Sequence, residues 1–300
     1  AGNGALLPSQ SALVASLVAP DVRHRASAVS RVAGNVGAGL GGAIGGLVAG
    51  YGLNGFVVLF LANALTYVLY VVILVVAVRE DARPAAIAGG YRVVLRDRPF
   101  MRLAVTNVAV IAVGWGVFTW IVPSYARGEI GVGSRVIGLL ALANALTVVV
   151  AQIPVAKLSE GRRRAIAMAV ASLTFAGACL LVAGADLVRS GYAYAALLAA
   201  VIAVGVGECL YTTALMPLVA ELAPEALRGR YMATVGLSWW LGLALAPTLG
   251  TQLLSVSPPA ALLAAAGVAL AAALSALALE HDLPAMARLT PRPGGRRLQA

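Results

Sequence analysis

Charged residues are scarce in this 300-residue sequence. They make up 11% of the chain, whereas 61% of the residues are hydrophobic. Soluble domains carry roughly a quarter charged residues, so this composition excludes a water-soluble fold, and it excludes intrinsic disorder, which requires little apolar surface. The two cysteines, Cys179 and Cys209, allow at most one disulfide, and this excludes a disulfide-rich scaffold.

Motifs for enzyme chemistry are absent as well. The two histidines, His24 and His281, fall at helix ends, and the cysteines lie in apolar runs without the spacing of metal ligands. The sequence contains no H-E-x-x-H, no G-x-S-x-G and no P-loop. We therefore predict no enzymatic activity, no cofactor, no metal site and no ATP hydrolysis by this chain.

What the chain does contain is apolar runs long enough to cross a bilayer as helices of roughly 20 residues. They lack the alternating pattern and the shorter length of membrane strands. This predicts an all-α fold, a polytopic membrane helix bundle of about nine transmembrane helices. The predicted spans are 1–19, 26–50, 55–78, 100–124, 135–156, 163–184, 191–220, 229–253 and 259–280.

The basic residues are distributed unevenly among the turns. Nineteen of the 22 Lys and Arg residues fall in alternate turns and in the C-terminal tail. Basic residues near helix ends are retained on the cytoplasmic side, so these turns and the C-terminus are predicted to be cytoplasmic. The net charge of +10 then reflects topology in the lipid bilayer, and it predicts no nucleic-acid partner.

Two segments of the chain align at an offset of 205 residues. Each reads as a helix, a basic turn and a second helix, which is typical of parallel transporter repeats. A duplication explains this, and so do two helix pairs of similar composition. The aligned positions are Arg23 and Arg25 with Arg228 and Arg230, and Gly37, Gly41, Gly42 and Gly45 with Gly242, Ala246, Pro247 and Gly250.

The repeat predicts two halves of six helices each. Residues 1–78 would be the last three helices of the first half, 79–99 a cytoplasmic linker, 100–280 the second half and 281–300 a cytoplasmic tail. Residue 1 is Ala and already lies in an apolar run, without a positively charged leader. We therefore expect the sequence to be a segment that lacks three preceding helices.

The turn from Lys157 to Arg164 resembles the Gly-x-x-x-Asp-Arg-x-Gly-Arg-Arg loop of the major facilitator superfamily, with Glu160 near the acidic place. The glycines of the second run resemble the antiporter motif of the family's fifth helix, although Gly42 replaces its proline. The segment 207–232 resembles helices ten and eleven of twelve-helix multidrug exporters of the drug:proton antiporter type. The conformational motif implied by these likenesses comprises Gly37, Gly41, Gly45, Pro247, Gly250, Glu160, Gly161, Arg162 and Arg163.

These motif residues have simpler interpretations too. Glycines at a spacing of four line one helix face, so they predict close helix packing or, alternatively, a hinge. The arginines 162–164 beside Glu160 predict inter-helix ion pairs that stabilise one conformational state, or only a topology anchor. Both pairs of alternatives stay open at this point.

Glu208 is the charge that topology does not explain. It lies about 18 Å from the predicted cytoplasmic end of its helix, where a carboxylate costs about 2.5–3.5 kcal/mol to insert. It should therefore face the interior and be protonated, paired or hydrated. A proton-coupling role and a structural role that locks helices together are both open.

Other polar and aromatic residues at similar depth are candidates for a substrate cavity. Asn3 takes the place of Glu208 under the repeat offset, although an amide that joins helices explains it equally. The aromatic residues Trp115, Phe118 and Trp120 suit a lipophilic substrate, or belong to packing and interfacial belts. The cavity candidates are Asn3, Asn107, Trp115, Asn144, Gln152, Tyr211 and Thr212.

The resemblance implies a secondary transporter of the cell membrane, multi-pass, working by alternating access on a small-molecule substrate and protons. The predicted activity is proton-coupled efflux of lipophilic molecules. One alternative is an uptake or facilitative carrier of the same fold. Another, of a different class, is a transport-incompetent remnant or membrane scaffold.

Overall fold

The computed structural model describes residues 18–19, 22–49, 51, 53–77, 90–185 and 190–291. The long apolar runs form helices, because a helix satisfies its backbone hydrogen bonds within the segment and can therefore lie in lipid. The predicted all-α membrane bundle is confirmed. The helices are α1 (Arg23–Ala49), α2 (Leu53–Ala77), α3 (Gly90–Arg96), α4 (Arg98–Ile111), α5 (Val122–Gly128), α6 (Ser134–Leu158), α7 (Arg164–Ala183), α8 (Ser190–Leu222), α9 (Arg228–Val256), α10 (Pro258–Asp282) and α11 (Ala285–Arg288).

Helices coincide with the second to the ninth predicted spans, with ends that differ by a few residues. The first span, 1–19, lies outside the described residues except for its last two. Seven helices in the described part are long and apolar enough to cross a membrane. Helix α1 is not one of these seven.

Helices α4 and α5 form one continuous rod, because a π-helix over Ala112–Ile121 connects them. Asp97 caps the start of α4: its Oδ1 accepts from the backbone N–H of Phe100 at 3.1 Å. Its Oδ2 accepts from the Tyr231 hydroxyl at 2.6 Å. One carboxylate thus ties the start of α4 to the start of α9.

The described residues belong to two compact units. The first comprises Ala1–Val32 and Ile87–Ala300, and the second Ala33–Ala86. In the first, α7 packs against α8 and α10, α8 packs against α6, and α9 packs against α4 and the π-helix. Its core includes the fully buried Phe100, Met168 and Phe175.

The second unit holds the rest of α1 together with α2. The side chains of α2 are apolar and mostly exposed, as expected of a helix that faces lipid. The predicted division into six-helix halves, linker and tail stays a prediction. Helix α3 lies within the predicted linker, and residues 79–89 of that region lie outside the described residues.

Candidate functional site

Glu208 lies in the middle of α8, fourteen residues before the helix ends at Leu222, or about 21 Å along the axis. The residue is only 5% exposed. Its Oε2 forms an ion pair with Nη2 of Arg31 in α1, and its Oε1 accepts a long hydrogen bond of 3.4 Å from Nδ2 of Asn144 in α6. The carboxylate therefore links three helices.

The same arginine lies over an aromatic ring. The guanidinium carbon of Arg31 is 5.4 Å from the centre of the Trp115 ring, within the range of a cation–π contact. We call Glu208, Arg31, Asn144 and Trp115 the mid-helix cluster. Further rings surround Trp115, with centroid distances of 4.9 Å to Trp239, 5.9 Å to Phe175 and 6.4 Å to Tyr211.

A chain of buried hydrogen bonds continues from these rings. The Tyr211 hydroxyl donates to Oδ1 of Asn107 at 3.1 Å, and Nδ2 of Asn107 donates to Oγ of Ser238 at 2.7 Å. Asn107 and Tyr211 are fully buried. Because unpaired polar groups are costly at such depth, this chain fixes the relative positions of α4, α8 and α9.

A second carboxylate, Glu160, lies in the turn between α6 and α7. Its Oε1 accepts from Nε of Arg25 at 2.7 Å and lies 3.2 Å from Nε2 of the buried His24. We call these three residues the turn cluster. Desolvation acts to raise the pKa of Glu160, but its hydrogen bonds and charge interactions with Arg25 and His24 outweigh this and hold the pKa below its ordinary value.

The arginines that follow Glu160 pair with other carboxylates. Arg164 is fully buried and donates to both oxygens of Glu221, at 2.7 and 2.9 Å. Arg163 lies 3.6 Å from Glu280. Inter-helix ion pairs thus form here, and Glu160 itself pairs with Arg25 and His24.

The chain can be compared with known protein families. A family model described as Major Facilitator Superfamily matches residues 104–298, more than half of the chain. This chain belongs to the major facilitator superfamily. A search of curated proteins finds no match.

A solved structure supports the same fold. The crystal structure of a bacterial homologue of the iron transporter ferroportin, in an outward-facing state, is similar with a TM-score of 0.61 and 19% sequence identity. The alignment covers 88% of this chain and 65% of that chain. This superfamily chain therefore spans about two thirds of the length of that structure.

Four of the predicted cavity residues come together around Glu208. Asn144 and Trp115 belong to the mid-helix cluster, and Tyr211 and Asn107 lie in the adjoining hydrogen-bond chain. These four residues come from α6, α8 and the rod of α4 and α5, and their place in a cavity stays a prediction. Asn3 lies outside the described residues.

Two other candidates take part in different interactions. Nε2 of Gln152 donates to the Thr213 hydroxyl at 3.0 Å, which joins α6 to α8. The Thr212 hydroxyl donates to the backbone carbonyl of Glu208 at 2.7 Å, one turn earlier in the same helix. Neither of these bonds reaches a side chain of the mid-helix cluster, and the place of both residues in a cavity stays a prediction.

Arg31 belongs to this candidate site and was not predicted from the sequence. It is one of the nineteen basic residues attributed to topology, whereas it lies eight residues inside α1. The available signal was its position within the apolar run 26–50, because an arginine there requires a partner. Ser238 and Trp239 were also missed as members of this site.

Glycines behave differently in the two aligned segments. A Cβ atom on Gly242 would lie 2.6 Å from the backbone oxygen of Val108, and one on Gly250 would lie 2.7 Å from Ile121. A Cβ on Gly37 or Gly41 would meet no atom within 4 Å among the described residues. The close packing predicted for the first copy is therefore found in the second, between α9 and the rod of α4 and α5.

Gly161 is the motif glycine with a clear backbone role. Its φ is +73°, a value that L side chains rarely adopt. Its N–H donates to the Thr290 carbonyl at 2.8 Å, and the Thr290 N–H donates to the Arg162 carbonyl at 2.9 Å. The turn that presents Glu160 is thus held by the segment that follows α11.

The π-helix that carries Trp115 was not predicted. Such segments are rare and often occur at functional sites. Two glycines accompany it: a Cβ on Gly114 would collide with the Phe175 ring, and one on Gly116 with Ala246. They bring the widened backbone close to α7 and α9, and so place Trp115 beside Arg31.

An apolar groove lies apart from the mid-helix cluster. It has a volume of about 490 Å³ and is formed by residues of α7 and α8, none of which was a predicted cavity residue. The groove is lined by Thr174, Gly177, Ala178, Leu180, Leu181 and Ala203.

Among the described residues, no group of three or more His, Cys, Asp or Glu is placed to hold a metal ion.

Proposed function

We propose that this chain acts in proton-coupled efflux of lipophilic small molecules, as a secondary active antiporter that works by alternating access. The observation that carries the proposal is the buried ion pair of Glu208 and Arg31 beside a group of aromatic rings. We further propose that the protein lies in the cell membrane with its C-terminus in the cytoplasm, as its basic turns indicate.

Exchange follows from the charge of the mid-helix cluster. With Glu208 ionised, the pair has no net charge, and the rings of Trp115, Trp239 and Tyr211 offer a lipophile an apolar surface. When Glu208 takes a proton, Arg31 keeps its charge because a guanidinium does not deprotonate. The pair of Glu208 and Arg31 then carries a net positive charge, which attracts water and disfavours a lipophile. Proton and substrate therefore bind alternately, as antiport requires.

The turn cluster supplies a gate for alternating access. Arg25 and His24 begin α1, and Glu160 lies in the turn between α6 and α7, so the contact joins parts of the chain more than 130 residues apart. All three residues fall on the side that we propose to be cytoplasmic. The contact must break when this side opens, and it therefore favours the state closed to the cytoplasm.

The glycines of α1 belong to the same proposal. Gly37, Gly41 and Gly45 resemble the antiporter motif, and Gly242 and Gly250 occupy the corresponding places in α9. In α9 these small residues allow close contact with the neighbouring rod. We propose that both sets let helices move against each other during the transport cycle.

Transport in proteoliposomes tests the function. The protein is reconstituted with DNA trapped in an acidic lumen, and ethidium is added outside as a lipophilic probe that brightens on entry. We expect the pH gradient to accelerate entry severalfold and a protonophore to remove the acceleration. If ethidium enters at the same rate with and without the gradient, the protein is a facilitative carrier and not a proton-coupled exchanger. No protein-dependent entry of ethidium or of related dyes would favour a scaffold.

A further inference from the structure

Four arginines lie within one helical turn of a contact between the start of α4 and the start of α9. Asp97 accepts a hydrogen bond of 2.6 Å from the Tyr231 hydroxyl, and the rings of Phe100 and Tyr231 lie 4.3 Å apart. The contact therefore brings together two stretches of chain that are 134 residues apart in sequence. Arginines flank Asp97 on both sides, and two more precede Tyr231. These four residues, the basic cluster, are Arg96, Arg98, Arg228 and Arg230.

The basic cluster has no counter-ion among the residues that the structure describes. The ion pairs of that part of the chain involve other arginines, and Asp97 uses its two oxygens for the hydrogen bonds at the starts of α4 and α9. Nε of Arg228 and Nη1 of Arg230 are buried and have no hydrogen-bond partner in the described part of the chain. Because a buried, unpaired donor on a charged group is costly, these atoms favour a ligand with acceptor oxygens.

Helix α3 adds an apolar surface beside the basic cluster. It packs against both α4 and α9, and the side chain of Val94 is fully buried. Tyr91 and Leu95 lie one turn apart and are 55% and 61% exposed. Arg92 and Arg96 are exposed and lie about 100° further around the helix, opposite Val94. Helix α3 thus presents apolar and basic side chains on adjacent faces, as helices at the bilayer interface do.

Both features lie where the helices enter the bilayer. The candidate membrane spans that contain α4 and α9 begin at Arg98 and Glu225, and lipid headgroups occupy this level. A guanidinium donates two parallel hydrogen bonds to a phosphate group, so the basic cluster suits an anionic headgroup. A soluble anion would leave Tyr91 and Leu95 uncovered, and arginines would repel the cationic group of a zwitterionic lipid. An anionic phospholipid matches both the charge and the apolar surface.

We propose that the basic cluster and α3 together bind an anionic phospholipid, with its phosphate at the arginines and its acyl chains along Tyr91 and Leu95. The lipid stabilises the packing of α3 against α4 and α9, because it contacts all three helices. Since a ligand of the folded state adds stability by mass action, the protein should unfold at a higher temperature when the lipid is present. This inference goes beyond the proposed function and requires neither Glu208 nor transport.

The first experiment compares two lipids that differ only in their headgroup. Purified protein in dodecyl maltoside receives dioleoylphosphatidylglycerol or dioleoylphosphatidylcholine at the same mole fraction, and tryptophan fluorescence records the Tm. We expect a clear rise with phosphatidylglycerol and little change with phosphatidylcholine. The rise should shrink when added salt screens the arginines. Equal rises with the two lipids would overturn the inference.

A soluble phosphate tests whether the acyl chains are required. Glycerol phosphate carries a phosphate group without acyl chains, so it should not raise the Tm at concentrations at which phosphatidylglycerol does. An equal rise would mean that the arginines bind a soluble anion, and the lipid site would be wrong. Tyr91→Ser/Leu95→Ser is the matching variant, and its affinity for phosphatidylglycerol, measured by native mass spectrometry, should fall severalfold. Unchanged affinity would contradict the proposed place of the acyl chains.

Variants separate a specific site from general surface charge. Arg228→Gln/Arg230→Gln should lower the affinity for phosphatidylglycerol about tenfold, as expected for lost charge-assisted hydrogen bonds, and remove most of the rise in Tm. Arg163→Gln/Arg288→Gln is the matched control. It removes the same charge from arginines that already pair with a carboxylate and a backbone carbonyl, so it should keep the wild-type affinity. Equal losses in the two double variants would show a response to net charge alone and would overturn the inference.

A second variant covers the case in which Arg228→Gln/Arg230→Gln does not fold. Arg96 and Arg98 are exposed, so Arg96→Gln/Arg98→Gln should leave the fold intact, as checked by size-exclusion chromatography. We expect its affinity for phosphatidylglycerol to fall severalfold. Wild-type affinity in this folded variant would contradict the inference.

Discussion

Helix α1 pairs with two carboxylates in contrasting surroundings. Near its start, Arg25 and His24 bind Glu160, and the Arg25 side chain is 43% exposed. Six residues further, about 9 Å along the axis, Arg31 binds Glu208, whose side chain is 7% exposed. Solvent screens the ion pair at the turn, so this pair can break and re-form at little cost and suits a gate. The pair at mid-helix is largely buried and costly to break, so it suits a coupling site.

Removal of one partner from each pair should produce the largest difference in stability. Arg31→Gln leaves Glu208 buried without its counter-ion, and we expect a loss of about 3–5 kcal/mol, seen as a clearly lower Tm in detergent. Arg25→Gln should change stability by less than about 1 kcal/mol. The double variant Arg31→Gln/Glu208→Gln is the control and should recover much of the loss. Equal Tm values for both single variants would remove the contrast.

A smaller loss is expected where α9 packs against the rod of α4 and α5. In Gly242→Ala the new Cβ meets the Val108 carbonyl oxygen at 2.6 Å, and backbone atoms cannot move aside cheaply. Overpacking of this kind costs about 1–3 kcal/mol. Gly37→Ala is the matched control from the aligned segment, and it should be neutral or slightly stabilising because Ala favours helix. Thermal unfolding of the two variants measures whether small residues are required for close packing in α9 but not in α1.

The turn cluster depends on the segment after α11. Thr290→Pro removes the N–H that donates to the Arg162 carbonyl, and we expect a loss of about 1 kcal/mol. The turn then holds Glu160 less firmly, so a cysteine in place of Ser159, which is 5% exposed, should react faster with a water-soluble maleimide. Thr290→Ala retains the N–H and should behave as the wild type in this background. The same labelling rate in all three proteins would show that this segment does not support the gate.

The pH dependence of the turn cluster should be the smallest effect. The pKa of Glu160 is lower in the folded protein than its ordinary value of 4.5. The ionised Glu160 carboxylate therefore stabilises the fold fully above pH 4.5. This stabilisation is lost as the pH falls through the lowered pKa of Glu160 in the folded protein. Glu160→Gln should thus change gate labelling equally at neutral and mildly acidic pH. A change confined to neutral pH would mean that Glu160 titrates near the range proposed for transport.

The helices could be predicted because their signal is local. Runs of apolar residues require helices in lipid, and the structure places helices at the second to the ninth predicted span. Glu208 could also be identified, since a carboxylate in the middle of such a run is costly wherever it occurs.

Partners could not be predicted, because they are determined by packing. Arg31 and Glu208 are 177 residues apart, and Arg31 lies close enough to the basic turn to resemble a topology signal. In the sequence Gln152 and Asn144 look alike, since each is an amide within the same apolar run. In the structure Asn144 donates to Glu208, whereas Gln152 donates to Thr213. The π-helix that carries Trp115 has no sequence pattern that distinguishes it from an α-helix.

Proton movement in the two carboxylate variants tests the central claim most directly. Proteoliposomes with the pH indicator pyranine in an acidic lumen receive external ethidium, and the ethidium-driven loss of luminal protons is measured. The wild type and Glu160→Gln should both lose protons, at rates that differ by a small factor, whereas Glu208→Gln should move ethidium without losing protons. Wild-type proton loss in Glu208→Gln would contradict the account.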